Sequence, residues 1–403
     1  MEIPSFISSA AQNSPQIKTI EMHTTGEPTR IVYSGYPDIT GTLLEQRAHA
    51  KAHHDHIRRA LIYEPRGHRE MYGAVLRPSS ELVESGEAHL GVLFLTNEGY
   101  STMCGHATLA VARLVVDQAG AGSQIFPIRR PIDFDNLGSR DEVVVSLHVP
   151  CGLVNVTVPV RRGSNDRWTT DIRRPISYRS VPSYATGIGI TVPLPSSYRW
   201  PELGQRESII VDISYGGAFY LVVSPDTLGF ADTLAKPDIP GLSRATAQLK
   251  EAFNSSQHLR QSFLYHAEHS DLQFLYGTLV TDAKTGLASP GTGGAETTIC
   301  FFSDAQVDRS PTGSGVQAKV ALAYAKGERK LSEKWAYHSV LSNRYDGEGA
   351  FVGEAVKEVT VGSHKAVIVE VSGWARYTGA SSFLIEDGDA IGEGFWFDGL
   401  GAA

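Results

Sequence analysis

The sequence predicts an α+β chain made of two related halves, each carrying one buried helix, the first of them inside a curved β-sheet. Three observations predict this. Strand-like alternation recurs along the chain with few helices between the strands. The run CGHATLAVARLVVDQAG, starting at Cys104, is apolar on nearly every side, which places it inside a sheet rather than on a surface. Finally, MCGHATLAVAR overlays on PTGSGVQAKVA with Cys104 matched to Thr312, about half the chain apart, as two copies of one helix start would.

Taken in order, TRIVYSG reads as a strand and Leu43 to Leu61 as a helix. The Cys104 helix follows, with small residues first and a glycine last. Gly122 to Glu142 reads as a loop, then EVVVSLHVP and GLVNVTVPV as strands. The polar, proline-containing stretch Thr191 to Glu207 is the expected border between the halves. The first half is therefore 1–206, carrying the Cys104 helix and joined again by 377–403, and the second is 207–376, carrying the Thr312 helix. Strands SIIVDISYGGAFYLVV, DLQFLYGTLVTD, TTICFFSD and HKAVIVEVSG belong to the second half, with TGSGVQAKVALAYAKG as its helix. Segments Pro201 to Val211 and Val371 to Thr378 are the expected hinges for closure around a ligand.

Composition limits the function. The 403 residues with 41% hydrophobic content suffice for large cores, and 36 basic against 44 acidic residues leave a formal charge of −8. That balance gives no reason to expect nucleic acid or an anionic membrane as partner, so a small molecule is the expected ligand. With no long apolar run, and no basic segment followed by an apolar one at the start, the chain reads as cytoplasmic, without signal peptide or membrane span. Three widely spaced cysteines, Cys104, Cys151 and Cys300, argue against a disulfide framework or a structural zinc site.

A helix start carries unpaired N–H groups and a positive dipole end, which bind a carboxylate and favour a thiolate. Two such starts facing a shared cleft would hold a small amino or imino acid by its carboxylate while a side chain reaches the α-carbon. In that setting Cys104 is a base rather than an acylating nucleophile. The plain alternative is a buried thiol packed as a small hydrophobe.

The segments HTTGEPTRIV, EPRGHREMYGAVL, NEGYSTMCGHATLAVAR, VDISYGGAFYLVV, VDRSPTGSGVQAKVALAYAKG and VSGWARYTG occur in that order from His23 to about Gly379, and together they resemble the proline racemase family. The resemblance implies a diaminopimelate epimerase-like fold of two pseudo-symmetric halves, each a strongly curved mixed β-sheet closing round one central helix, together with no cofactor, an imino-acid substrate and a possible homodimer. It implies catalytic roles at Cys104 and Thr312, and substrate binding by Gly105, His106, Asp308, Gly313 and Ser314, with Asp308 receiving the ring ammonium. Racemases and epimerases of this family use two cysteines as paired acid and base, whereas this chain has a thiol at Cys104 and a hydroxyl at Thr312. A threonine is far too weak an acid to replace the exchanging thiol. The pattern SPTGSG resembles the trans-3-hydroxy-L-proline dehydratases of the family, in which one base removes the α-proton and the β-hydroxyl leaves as water, giving Δ1-pyrroline-2-carboxylate. Racemase or epimerase activity and a non-catalytic imino-acid binder remain the alternatives. The proton donor to the leaving hydroxyl is open between His106 and Thr312. Ala107 and Ser314 depart from the family's usual CGHGT and CGTG, which bears on pocket width.

Other features read as structural. His49, His53, His54 and His56 lie on a solvated helical face with no ligand set completed, so no metal is expected. His266 and His269 precede a strand, Cys151 and Cys300 read as buried thiols in strands, and GTGGAE at Gly291 leads into a strand rather than a helix, which excludes a nucleotide loop.

Overall fold

The computed structural model describes residues 3–13, 16–137, 139–163 and 166–397. The chain divides into two compact units, Met1–Ser177 with Trp374–Ala403, and Tyr178–Gly373. The division therefore falls earlier than the expected border at 206/207. The reason is the pairing of Tyr184–Pro193 with Ser208–Tyr215 as an antiparallel hairpin, which puts Thr191 to Glu207 inside the second unit. Pro201 to Val211 is likewise internal, formed by the 3-10 turn Pro201–Leu203 and the start of a strand, so it is no hinge between units. Residues 398–403 of the returning segment 377–403, and position 138 of the Gly122 to Glu142 loop, lie outside the described residues.

In the first unit the strands neighbour one another in the order Arg376–Phe383, Ile17–Thr24, Glu27–Ser34, Gly73–Arg77, Leu90–Leu95, Glu142–Val149, Gly152–Arg162 and Trp168–Thr170. In the second the order is Tyr184–Pro193, Ser208–Tyr215, Phe219–Val223, Leu275–Asp282, Ala295–Phe302, Trp335–His338, Phe351–Val361 and His364–Gly373. Both run antiparallel, antiparallel, parallel, antiparallel, parallel, antiparallel, antiparallel. The repeat suggested by two short helix starts thus extends through the whole sheet, and the C-terminal strand Arg376–Phe383 supplies the first position of the first unit. In the second unit Ser183 and Val367 exchange both backbone hydrogen bonds at 2.8 Å, joining the last strand to the first and closing the sheet into a ring.

Each sheet wraps a central helix. Gly105–Gly120 packs on the first unit's strands and Gly313–Ala325 on the second's, the latter with every residue from Gly313 to Ala323 buried. A helix apolar all round is stable only where each face meets protein, and each fully buried Leu or Val contributes about 1.5–3 kcal/mol. Close approach is achieved at Gly216, where a Cβ would stand 2.3 Å from the Ser314 carbonyl oxygen. Gly216 and Gly217 also turn SIIVDISYGGAFYLVV back on itself, so this stretch is a hairpin.

The outer face of each sheet carries a second helical layer. In the first unit Leu43, Ala50, Ile57 and Leu61 cover Val32, Val75 and Leu93, and in the second Leu242, Ala245, Leu249 and Phe253 cover Leu221, Val223 and Val280. The helix expected over Leu43 to Leu61 is two helices, Leu43–His53 and Asp55–Ile62, broken at His54 (φ −128°, ψ 15°). The break lets Arg58 grip Asp55 at 2.6 and 2.8 Å and the carbonyls of Thr96 and Asn97 at 2.8 and 2.9 Å. No helix among the described residues is long and apolar enough to cross a membrane.

Candidate active site

In the first unit the two-residue strand Tyr100–Ser101 pairs on Phe94–Leu95, and the Ser101 hydroxyl donates to the Met103 carbonyl at 2.9 Å as the chain turns into the helix. This delivers Cys104 as the N-cap residue (φ −148°, ψ 110°), with Sγ accepting the Ala107 N–H at 3.3 Å. A sulfur in the N-cap position sits where the helix's partial positive charge favours a thiolate. Cys104 is 4% exposed, and the Thr108 hydroxyl fixes its carbonyl at 2.6 Å.

His106 lies against the thiol, with Nδ1 3.2 Å from Sγ. Burial lowers the His106 pKa to about 3, against which a hydrogen bond to the Pro28 carbonyl works only partly, so the imidazole is neutral. Tyr72 meets the ring edge-on at a centroid distance of 4.6 Å, and the Thr24 hydroxyl donates to the His106 carbonyl at 3.2 Å. At the far end of this helix Asp117 accepts bonds from Arg113, Thr170 N and Tyr377, which hold the helix in place.

The second unit repeats the approach. Gln306–Val307 pairs on Phe301–Phe302, and the chain then runs through Asp308 and Ser310 to Thr312, the N-cap of Gly313–Ala325. Asp308 donates its N–H to the Cys300 carbonyl at 3.1 Å, and its carboxylate accepts Ser310 N at 2.7 Å and the Thr312 hydroxyl at 2.8 Å. Burial pushes the Asp308 pKa up to about 6, with the Ser310 and Thr312 bonds and Arg309 opposing. Thr312 makes no side-chain cap and has φ 63°, ψ 93°, a conformation costly for a β-branched residue. The Ser314 hydroxyl meets the fully buried Tyr220 hydroxyl at 2.6 Å.

The structure thus brings Cys104, Gly105 and His106 together in one unit, and Asp308, Thr312, Gly313 and Ser314 together in the other. Sequence reading missed Tyr220, because FYLVV looks like an ordinary core strand, and missed Pro28 and Thr24 as supports of His106. Cys300 lies in a strand, but Cys151 lies in the turn between Glu142–Val149 and Gly152–Arg162, where burial raises its thiol to about 12. The rings of His49, His53 and His54 cluster at 4.5 and 5.3 Å, yet no group of three or more metal-ligating side chains among the described residues is placed to hold an ion.

Comparison with known proteins finds both sequence relatives and solved structures of the same fold. A trans-3-hydroxy-L-proline dehydratase of Homo sapiens is 42% identical over 385 residues, 95% of each chain, and one of Burkholderia cenocepacia is 33% identical over 383 residues, 95% of this chain and 98% of that one. Among solved structures, a hydroxyproline epimerase from Agrobacterium vitis with bound trans-4-hydroxy-L-proline has a TM-score of 0.73 at 21% identity over 95% of each chain. A probable proline racemase from Agrobacterium radiobacter has the same TM-score at 22% identity, over 94% of this chain and 96% of that one. The proline racemase family model matches residues 19–396, and the chain belongs to that family.

Proposed function

We propose that this chain is a hydro-lyase that converts trans-3-hydroxy-L-proline to Δ1-pyrroline-2-carboxylate without a cofactor. One observation carries the reading: of the two matched helix starts, one presents a thiol beside a neutral imidazole, and the other a hydroxyl already bonded to a carboxylate. One start can exchange protons with carbon and the other cannot, which suits a one-base elimination and not a two-base inversion. Relatives named for this dehydration, at up to 42% identity over 95% of the chain, support the same substrate.

In this reading Cys104 takes the α-proton and Asp308 receives the ring ammonium. Backbone N–H groups at Gly105, His106, Gly313 and Ser314 hold the carboxylate, whose negative charge grows as the proton leaves. Composition supports a cytoplasmic location, and family resemblance supports a homodimer.

Proton NMR of the purified protein with trans-3-hydroxy-L-proline in D2O tests the reading, with L-proline and trans-4-hydroxy-L-proline run beside it. Conversion of the 3-hydroxy compound alone is the expected result. Deuterium entering the α-position of the other two with inversion would identify a racemase or epimerase, and binding with no reaction would identify a non-catalytic protein.

A further inference from the structure

Loss of the hydroxyl requires a proton, and the two side chains that sequence offered as its source are both committed. The Thr312 O–H donates to Asp308 Oδ2 at 2.8 Å. His106 is neutral, and a neutral imidazole has one N–H, which here goes to the Pro28 carbonyl. Neither has a proton to spare at the moment of elimination.

Substrate stereochemistry supplies the missing step. In trans-3-hydroxy-L-proline the carboxylate and the hydroxyl lie on opposite faces of the ring, so the α-hydrogen and the hydroxyl share one face. A base that takes the α-hydrogen therefore stands on the face from which the hydroxyl departs. Resting on the dehydratase reading above, we infer that Cys104 is both base and acid: the proton its sulfur takes from the α-carbon is the proton it returns to the leaving hydroxyl.

The step balances. The Cα–H bond breaks and an S–H bond forms, with the electron pair left on the α-carbon and its carboxylate. The S–H proton then passes to the 3-hydroxyl, the C3–O bond breaks with its pair going to oxygen, and the carbanion pair becomes the Cα–C3 double bond. Water and the enamine result, and the thiolate is restored. The enamine then becomes the imine by exchange with solvent. No second protein group changes protonation over a turnover, so a partner thiol at Thr312 has no part to play. The Ala107 N–H, 3.3 Å from Sγ, supports the thiolate at the start and end of the cycle, while the His106 lone pair faces the thiol between.

The test compares elimination from trans-3-hydroxy-L-proline with elimination from trans-3-chloro-L-proline, whose chloride leaves without a proton. In Thr312→Val and His106→Gln, elimination from the two substrates should fall together, keeping their ratio within about threefold of the wild type. If either variant loses hydroxide elimination by about a hundredfold more than chloride elimination, that residue is the acid and the inference is overturned. Should a variant not fold, the wild-type protein decides with cis-3-hydroxy-L-proline, whose hydroxyl lies opposite the α-hydrogen. Product formation below about a tenth of the trans rate is expected, and a comparable rate overturns the inference. Failure of the dehydratase reading itself is distinct: the wild-type protein would then form no Δ1-pyrroline-2-carboxylate from trans-3-hydroxy-L-proline at all.

Discussion

Thr312 gives its hydroxyl to Asp308 at 2.8 Å instead of capping the helix it begins, and it does so at φ 63°. A buried carboxyl with Ser310 and Thr312 as hydrogen-bond partners, facing Arg309 on its own segment and Tyr220 on the neighbouring strand, carries a stability cost. Its pKa is raised from 3.8 to about 6, so the native state holds this proton up to about pH 6 while the unfolded chain releases it near 3.8. The favourable contribution is complete below the unfolded value and is lost as pH rises through about 6. Asp308→Asn should therefore unfold at higher urea than the wild type at pH 7.5, by up to about 3 kcal/mol, with the gain shrinking toward pH 4. In the same variant the KM should rise about ten- to a hundredfold if, as proposed, this carboxylate receives the ring ammonium. Equal urea midpoints at pH 7.5 would refute the cost assigned to this carboxyl.

Tyr220 and Ser314 form a second buried pair at 2.6 Å. Both hydroxyls are buried, so this bond, in which either oxygen can be the donor, satisfies the phenol and fixes the serine side chain. Tyr220→Phe should cost about 1–2 kcal/mol of stability and raise the KM more than it lowers kcat. In a Ser314→Ala background the same change should have little further effect on the KM. A double-mutant cycle with fully additive KM changes would show that Tyr220 does not act through Ser314.

Gly216 tests how closely the hairpin must approach the second helix. A Cβ there would meet the Ser314 carbonyl at 2.3 Å and Ala318 N at 2.5 Å, both backbone atoms that cannot rotate away. Gly216→Ala should cost about 1–3 kcal/mol and should displace Ser314, lowering activity even where the protein remains folded. Thermal unfolding beside a kcat/KM measurement checks both, and wild-type values in both would mean that the contact relaxes freely.

Much of the layout was legible in short runs of residues. The apolar surround of the Cys104 helix and its match to the Thr312 helix pointed to two wrapped sheets, because a helix without a polar face has few places to go. The border was misplaced because Thr191–Glu207 has loop composition yet only links two paired strands, and composition cannot tell a hairpin loop from a linker. The helix break at His54 was hidden because the contact it permits, Arg58 reaching the carbonyls of Thr96 and Asn97, is distant in sequence. In the site, residue types singled out Cys104, His106 and Asp308 as candidates, while their hydrogen bonds and burial, which bear on who holds a proton, required coordinates.

His106 sets an acid limit with the opposite sign to Asp308. Its pKa falls from 6.5 to about 3, so between those values the unfolded chain binds a proton that the native state refuses. Stability from this group is complete above pH 6.5 and declines by about 1.4 kcal/mol per pH unit on acidification, up to about 5 kcal/mol near pH 3. His89, lowered to about 4 by burial and Arg130, adds to the loss, while Asp308 partly offsets it between about pH 6 and 3.8. Urea midpoints measured from pH 7.5 to 4.5 should fall steeply for the wild type and less steeply for His106→Gln, which has no proton to bind. Parallel curves would mean that the imidazole can take a proton without leaving its site, and with it the neutral state that keeps His106 from acting as an acid would be lost.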